Sequence, residues 1–446
     1  MSEKKVSVGQ EAVRDARTLG IPRMLILGLQ HMFAMFGATV LVPILVQGYG
    51  LPLSIQTTLL CAGAGTLFFH LCTKFKVPAF LGSSFAFLGG FQAMANLESG
   101  IYAGMDPQEK LAYTLGGVVV AGGLYLVLAL LFKVVGARKV MRFFPPVVTG
   151  PMIILIGLNL SGSAVANAST CWWLAILAMA VIIAANIWGK GMVKIVPILL
   201  GVLIPYLVAL CCGMVDFSET RDAAWAGMAP FVLAKFDLTA ILVMAPIAIA
   251  SMMEHIGDIS AISATADRNF IEDPGLHRTL LGDGLATSLA GLVGGPANTT
   301  YGENTGVLAL TKVYDPKVVR IAAVFAVILS FSPKFDAIVG SIPDAIIGGV
   351  SFILYGMISA VGVRNVVENN VDFTQSRNLI VAAVILVCGL GFSSGISFTV
   401  GNATITLTSL AIAAIAGVGL NAILPGNDYV FGSDSKGDGA ANLCTY

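Results

Sequence analysis

The sequence predicts an all-α polytopic membrane protein: fourteen spans in two inverted seven-span repeats, with short extended segments in spans 3 and 10. Three observations lead there. Only 11% of the 446 residues are charged and 57% are hydrophobic, against about 25% and about 45–50% in soluble domains. A chain of this size with so few ionised groups cannot cover a water-facing surface, which excludes disorder, nucleic-acid binding and an ordinary soluble enzyme. Second, apolar stretches long enough to cross a bilayer (about 20 residues) recur along the whole chain. Third, the basic residues fall overwhelmingly on one side of the resulting topology.

In order, the spans lie near 24–46, 53–73, 79–97, 111–132, 144–162, 171–188, 194–214, 238–262, 279–294, 296–311, 318–333, 338–361, 378–394 and 400–424. The first 20 residues are polar, carry Lys4, Lys5, Arg14 and Arg17, and read as a cytoplasmic tail without a secretory signal. With that tail inside and the spans alternating, 21 of the 25 Lys and Arg fall in cytoplasmic segments; only Lys110, Arg221, Lys235 and Lys334 fall outside. A bias of this kind sets membrane orientation. It places both termini in the cytoplasm of a multi-pass inner-membrane protein. The 18 Pro and 50 Gly are compatible with transmembrane helices, where neighbours re-satisfy freed backbone groups.

Fourteen divides into seven plus seven, and an odd number per half inverts the second half. Three echoes in constant order support the division. Gln30-His31 in span 1 answers to Glu254-His255 in span 8. Pro78-Ala79 with Gly82-Ser83-Ser84-Phe85 in span 3 answers to Pro296-Ala297 with Thr299-Thr300-Tyr301-Gly302 in span 10. Gly150 and Gly157 behind Pro145-Pro146 answer to Gly349 and Gly356 behind Pro343.

Ionisable residues inside a bilayer are expensive and tend to be functional. Those remaining in span interiors are His31, Glu254, His255, Asp258 and Glu303. Asp283, Asp344 and His70 lie near span ends and are expected to be solvated. Glu254 and Asp258 are one helical turn apart on one face. Two buried carboxylates that close cannot both ionise cheaply, so one is expected to carry a proton.

The run from Pro296 to Gly306 is too polar and too rich in Gly and β-branched residues for a lipid-facing helix. Irregular backbone at membrane depth is tolerated only where it is buried or lines a cavity. It is read as an extended piece leading into a half helix near Glu303, with span 3 extended from about Ala79 to Ser84. Half-helix N-termini aim N–H groups and a positive dipole end at the midplane. The expected pocket holds two carboxylates, backbone amides and the rings of Phe85 and Tyr301, without a cation. It suits a flat neutral heterocycle bearing N–H donors and carbonyl acceptors. No Cys/His spacing suggests a metal, no cofactor is called for, and no nucleophile–base pair suggests a membrane hydrolase.

Glu303-Asn304-Thr305-Gly306, followed after four residues by Thr311-Lys312, resembles the signature of the nucleobase–ascorbate transporter (nucleobase–cation symporter-2) family. Gln30 to Ala38, Gly82 to Phe87 and Asp273 to Arg278 resemble it as well, so the likeness runs from about Ile21 to Pro425. The resemblance implies a core domain of spans 1–4 and 8–11 (23–132 and 215–333), and a gate domain of spans 5–7 and 12–14 (133–214 and 334–425). Tails cover 1–22 and 426–446. Glu in the first signature position resembles the uracil branch. The resemblance then implies that Glu254 and Glu303 bind the pyrimidine edge, Phe85 stacks on the ring, and backbone at Tyr301 and Gly302 completes the site. Uracil carriers of this type can have His where this chain has Asp258, so Asp258 and His31 are the residues to weigh for proton coupling.

The implied function is uracil import coupled to proton entry. The rivals are carriage of xanthine or another nucleobase, and an anion exchanger or channel of the same seven-plus-seven build. Affinity, stoichiometry and oligomeric state, a homodimer included, are not readable from the sequence.

Overall fold

The computed structural model describes residues 12–98, 100–392, 395–400 and 403–426. The first part of the expected N-terminal tail (1–11, with Lys4 and Lys5) and nearly all of the C-terminal one (427–446, with Lys436) lie outside the described residues.

Helix boundaries follow local chemistry. Ser54, Asp106, Asp237, Asp315 and Thr408 cap the helices that follow them, each side chain accepting from a backbone N–H of the first turn; these N–H groups lack partners within their helices. Pro22, Pro107, Pro146, Pro197 and Pro316 sit in first turns, where a missing N–H costs nothing. Among the described residues, six helices are long and apolar enough to cross a membrane: Ile21–Gly48, Ile55–Cys72, Pro107–Val135, Pro146–Ser169, Leu238–Ala266 and Asp344–Glu368. A bent pair, Pro316–Leu329 with Pro333–Gly340, turns through 89° and would make a seventh. Shorter apolar helices include Trp172–Ile187, Pro197–Cys211, Ser376–Gly391 and Ser409–Ile423.

Several expected spans differ in detail. The segment expected at 238–262 is two helices, Leu238–Met244 and Ile247–Ala266, divided at Pro246, which cannot donate to the turn before it. The span expected from 338 begins at Asp344, because Pro343 disfavours helical backbone in the residue ahead of it; Pro333–Gly340 is a separate helix. The segment expected to be helical from 400 opens instead with a strand. Ile396–Val400 pairs antiparallel with Ala403–Leu407, and the helix starts only at Ser409. Its alternation of β-branched or aromatic residues with Ser and Thr has a strand period, which a 20-residue apolar window averages away.

The helices pack in two groups. Leu276–Val293 lies against Pro107–Val135 and Ile55–Cys72, and Pro316–Leu329 lies against Ile55–Cys72 and Ile21–Gly48. In the other group, Asp344–Glu368 packs on Pro146–Asn159, Ser161–Ser169 and Trp172–Ile187, and Ser376–Gly391 packs on Ser409–Ile423. Pro146–Asn159 and Asp344–Glu368 cross at Gly150 and Gly362. A Cβ on Gly362 would stand 2.7 Å from the Gly150 carbonyl oxygen, so the backbones touch as only small residues permit. Helix Ile247–Ala266 touches members of both groups.

Candidate functional site

Two three-residue strands anchor the site. β1 (Leu81–Ser83) pairs antiparallel with β2 (Asn298–Thr300), with Leu81 opposite Thr300 and Ser83 opposite Asn298. The ladder extends at both ends: Ser84 N–H donates to the Ala297 carbonyl at 2.8 Å and Tyr301 N–H to the Phe80 carbonyl at 3.0 Å. Each strand is held by a threonine on the helix preceding it. Thr66 Oγ1 accepts from Leu81 N–H at 2.9 Å and donates to its carbonyl at 3.2 Å. Thr287 Oγ1 makes the same two bonds to Asn298, both 3.2 Å. The first residue of each strand is thus fixed in the same way from the two halves of the chain. These bonds satisfy backbone groups that a two-strand sheet would otherwise leave unpaired in a buried place.

Helix resumes directly after each strand: a short turn Phe85–Phe87 and then Leu88–Ala95 after β1, and Gly302–Thr311 after β2. The first N–H groups of Gly302–Thr311 have no partner within that helix. The start of this helix lies beside Ile247–Ala266. A Cβ at Gly302 would meet only Asp258 Oδ1, at 3.9 Å, and Thr300 Oγ1 donates to Asp258 Oδ2 at 2.8 Å. Glu254, one turn earlier, has a buried carboxylate oxygen without a hydrogen-bond partner. Asp258, Glu303 and Asp283, all acidic, lie near Glu254. Glu254, Asp258 and Glu303 therefore lie near one another, and the positive end of Gly302–Thr311 is the counterweight to their charge.

The remaining expected site residues fall as follows. Phe85 is 3% exposed and meets Tyr355 edge to face, with ring centroids 5.9 Å apart. Tyr301 is 3% exposed. The ring covers Gly82, where a Cβ would lie 2.3 Å from it, and its hydroxyl donates to the Ser83 carbonyl at 2.9 Å. Its N–H is taken by the Phe80 carbonyl, so of the backbone expected at the site the first N–H left by the strand pair is that of Gly302. His31 is buried and faces no carboxylate among its hydrogen-bond partners. Asn304 Nδ2 donates to its carbonyl at 3.0 Å and lies 3.1 Å from its Nδ1, which ties the half helix to Ile21–Gly48.

Three residues read as solvated helix ends divide. Asp344 is exposed. His70 is buried, with Nε2 2.9 Å from the Ala79 carbonyl oxygen. Asp283 is 0% exposed and lies 2.8 Å from Nδ1 of His255, itself 0% exposed. Asp283 looked terminal because Leu276–Val293 is counted from its apolar residues, and the helix in fact begins seven residues earlier. Tyr355 was missed altogether. The one signal pointing to it was its place beside Gly356, in an echoed glycine pair on Asp344–Glu368.

The uracil permease of Bacillus caldolyticus is 42% identical over 93% of this chain and 94% of its own. That of Bacillus subtilis (strain 168) is 40% identical over 95% and 97%. A putative pyrimidine permease of Escherichia coli (strain K12) is 38% identical over 94% of each chain. Among solved structures, the transmembrane domain of a cyanobacterium bicarbonate transporter, BicA, matches with TM-score 0.60 at 14% identity, over 92% of this chain and 99% of that one. SLC26A9 matches with TM-score 0.66 at 9% identity, over 92% and 66%. At such identities the likeness is one of fold. A model described as the permease family matches residues 22–398. With the relatives at about 40% identity, this establishes that the chain is an integral membrane transporter, not an enzyme, and belongs to the nucleobase–cation symporter-2 permease family.

Proposed function

We propose that the protein imports uracil across the cytoplasmic membrane, coupled to proton entry, through fourteen spans in two inverted repeats with both termini inside. The observation that carries the reading is the arrangement itself: Glu254 and Glu303 lie near each other, with Asp258 beside the N-terminal residue of Gly302–Thr311. Carboxylates accept the two ring N–H groups of a pyrimidinedione, and the helix N–H groups donate to its carbonyls. Phe85 supplies a face for the ring. The names of the relatives at 38–42% identity agree with this substrate.

Proton coupling follows from charge. Three carboxylates close together in a low-dielectric pocket repel one another strongly. A proton shared among them lowers the charge that must cross with the substrate. Alternating access then has the core domain (23–132 with 215–333) moving against the gate domain (133–214 with 334–425). Phe85 and Tyr355, one from each, would part as the site opens.

The rival reading, an anion exchanger or channel of the same build, is disfavoured because an anion would meet three carboxylates. Calorimetric titration of the purified protein separates these readings. Uracil is expected to bind, xanthine to bind far more weakly, and bicarbonate not at all. Tight xanthine binding or measurable bicarbonate binding without uracil binding would overturn the proposal.

A further inference from the structure

The chain ahead of the first long helix lies against the ends of both carboxylate-bearing helices. Gly302–Thr311 stops at Lys312, with φ +55°, and Ile247–Ala266 stops at Asp267, with φ +51°. Neither is glycine, the residue that takes left-handed backbone without steric cost. Surrounding structure must therefore hold these ends, and the segment Val13–Leu19 meets both.

Val13 N–H donates to the Lys312 carbonyl and Tyr314 N–H donates to the Val13 carbonyl, each at 2.9 Å, making a parallel bridge between Val13 and Val313. Ala16, fully buried, donates its N–H to Asp315 Oδ2 at 2.8 Å. Lys317 Nζ sits 3.2 Å from carboxylate oxygens of both Asp15 and Asp315. On the other side, Arg14 Nη2 lies 3.9 Å from Asp267 Oδ2. One short segment thus bonds to the end of the Glu303 helix and pairs with the end of the Glu254 helix.

We propose that Val13–Leu19 is a clip that sets the separation of these two helices, and through it the fit of Glu254 and Glu303 to the substrate. The inference rests on the reading that both carboxylates bind uracil. The lever is short: in this ten-residue helix, at about 1.5 Å per residue, Glu303 stands roughly 13 Å from the clipped end at Lys312. A helix of that length moves as a rod, so slack at Lys312 becomes displacement at Glu303. Displacing carboxylates that must meet two N–H groups at once weakens binding without removing any contacting group.

The clip is also built to hold through the pH range of uptake. Hydrogen bonds from Arg17 and Lys317 keep the Asp15 carboxyl well below the usual carboxylate range. A group whose folded value is depressed contributes fully above its unfolded value and loses that contribution only as pH falls through the folded one. Loosening the clip should therefore alter affinity and leave the pH profile of uptake in place.

The test measures uracil Kd in the purified full-length protein carrying Arg14→Glu, Val13→Pro or deletion of residues 2–19, with the profile of uptake from about pH 5 to 8, where exposed carboxylates are already ionised. Arg14→Glu sets two carboxylates face to face and is expected to raise Kd about two- to fivefold, the range of an exposed pair. Asp267→Arg in the same chain should restore it. Val13→Pro, which lacks the N–H bonded to Lys312, and the deletion should raise Kd further with coincident normalised pH profiles. If the deletion fails to fold, the two point variants and the charge exchange decide. Wild-type Kd in both point variants, or a charge exchange that fails to restore affinity, overturns the clip. Glu303→Gln is run alongside. Should it bind as wild type, the site reading has failed; should it weaken while the clip variants do not, only the clip has.

Discussion

Glu303 stands on the first turn of a short helix whose leading N–H groups have no carbonyl partner within that helix, close to Glu254. In the proposed site its carboxylate would accept a ring N–H. Glu303→Gln keeps the size and loses the charge, at a cost of about 1.5–3 kcal/mol or roughly 10- to 150-fold in Kd; calorimetry on the folded variant checks it. Phe85→Ala removes a stacking face and its edge contact with Tyr355, expected to cost about 1–3 kcal/mol of binding with no displacement of the pH profile. Asp258→Asn is different. Asparagine still offers Thr300 an acceptor oxygen, but one of the three neighbouring carboxylates is gone. With the repulsion relieved, the uptake profile should move to lower pH while uracil affinity at neutral pH changes little. Coincident normalised profiles would leave Asp258 only its bond to Thr300. At this scale the sequence exposed the carboxylates, because acidic residues in apolar segments are conspicuous. It could not expose what Asp283 does, since its partner His255 is remote in sequence and nothing in an apolar period announces a contact between two helices. Nor could it show that Tyr301 spends its hydroxyl and amide inside the strand pair.

At the scale of elements, the site depends on two strands too short to be stable alone. Their stability comes from Thr66 and Thr287 and from the seat of Tyr301 over Gly82. Gly82→Ala would drive a methyl into the Tyr301 ring, and overpacking of this kind costs about 1–3 kcal/mol. Both a lower Tm and weaker uracil binding are expected; an unchanged Tm would mean the ring moves aside freely. The polar, β-branched run Asn298-Thr299-Thr300 was readable as something other than a lipid-facing helix, because composition alone excludes it there. The pair Ile396–Val400 and Ala403–Leu407 was not, because it adjoins apolar helices on both sides and its alternation spans few residues. Pro246 and Pro343 carried boundary information that a search for long apolar windows passes over.

For the whole molecule, the two helix groups are joined across the site by Ile247–Ala266. A Cβ at Gly257 would lie 3.5 Å from Asn365 Nδ2 on Asp344–Glu368. Cysteines at both positions, in a background lacking the native ones, should be bridged by a short thiol-reactive linker. Bridging is expected to abolish uptake while uracil binding persists, and reduction of a cleavable linker should restore uptake; full uptake in the bridged protein would show that these helices do not separate during transport. The central claim is that uracil movement is driven by protons entering through this pocket. The most direct measurement is accumulation of radiolabelled uracil by proteoliposomes, with an inward proton gradient and without one. Accumulation above the external concentration only with the gradient, collapsed by a protonophore, is the expected result. Uptake that stops at the external concentration whatever the gradient would contradict it.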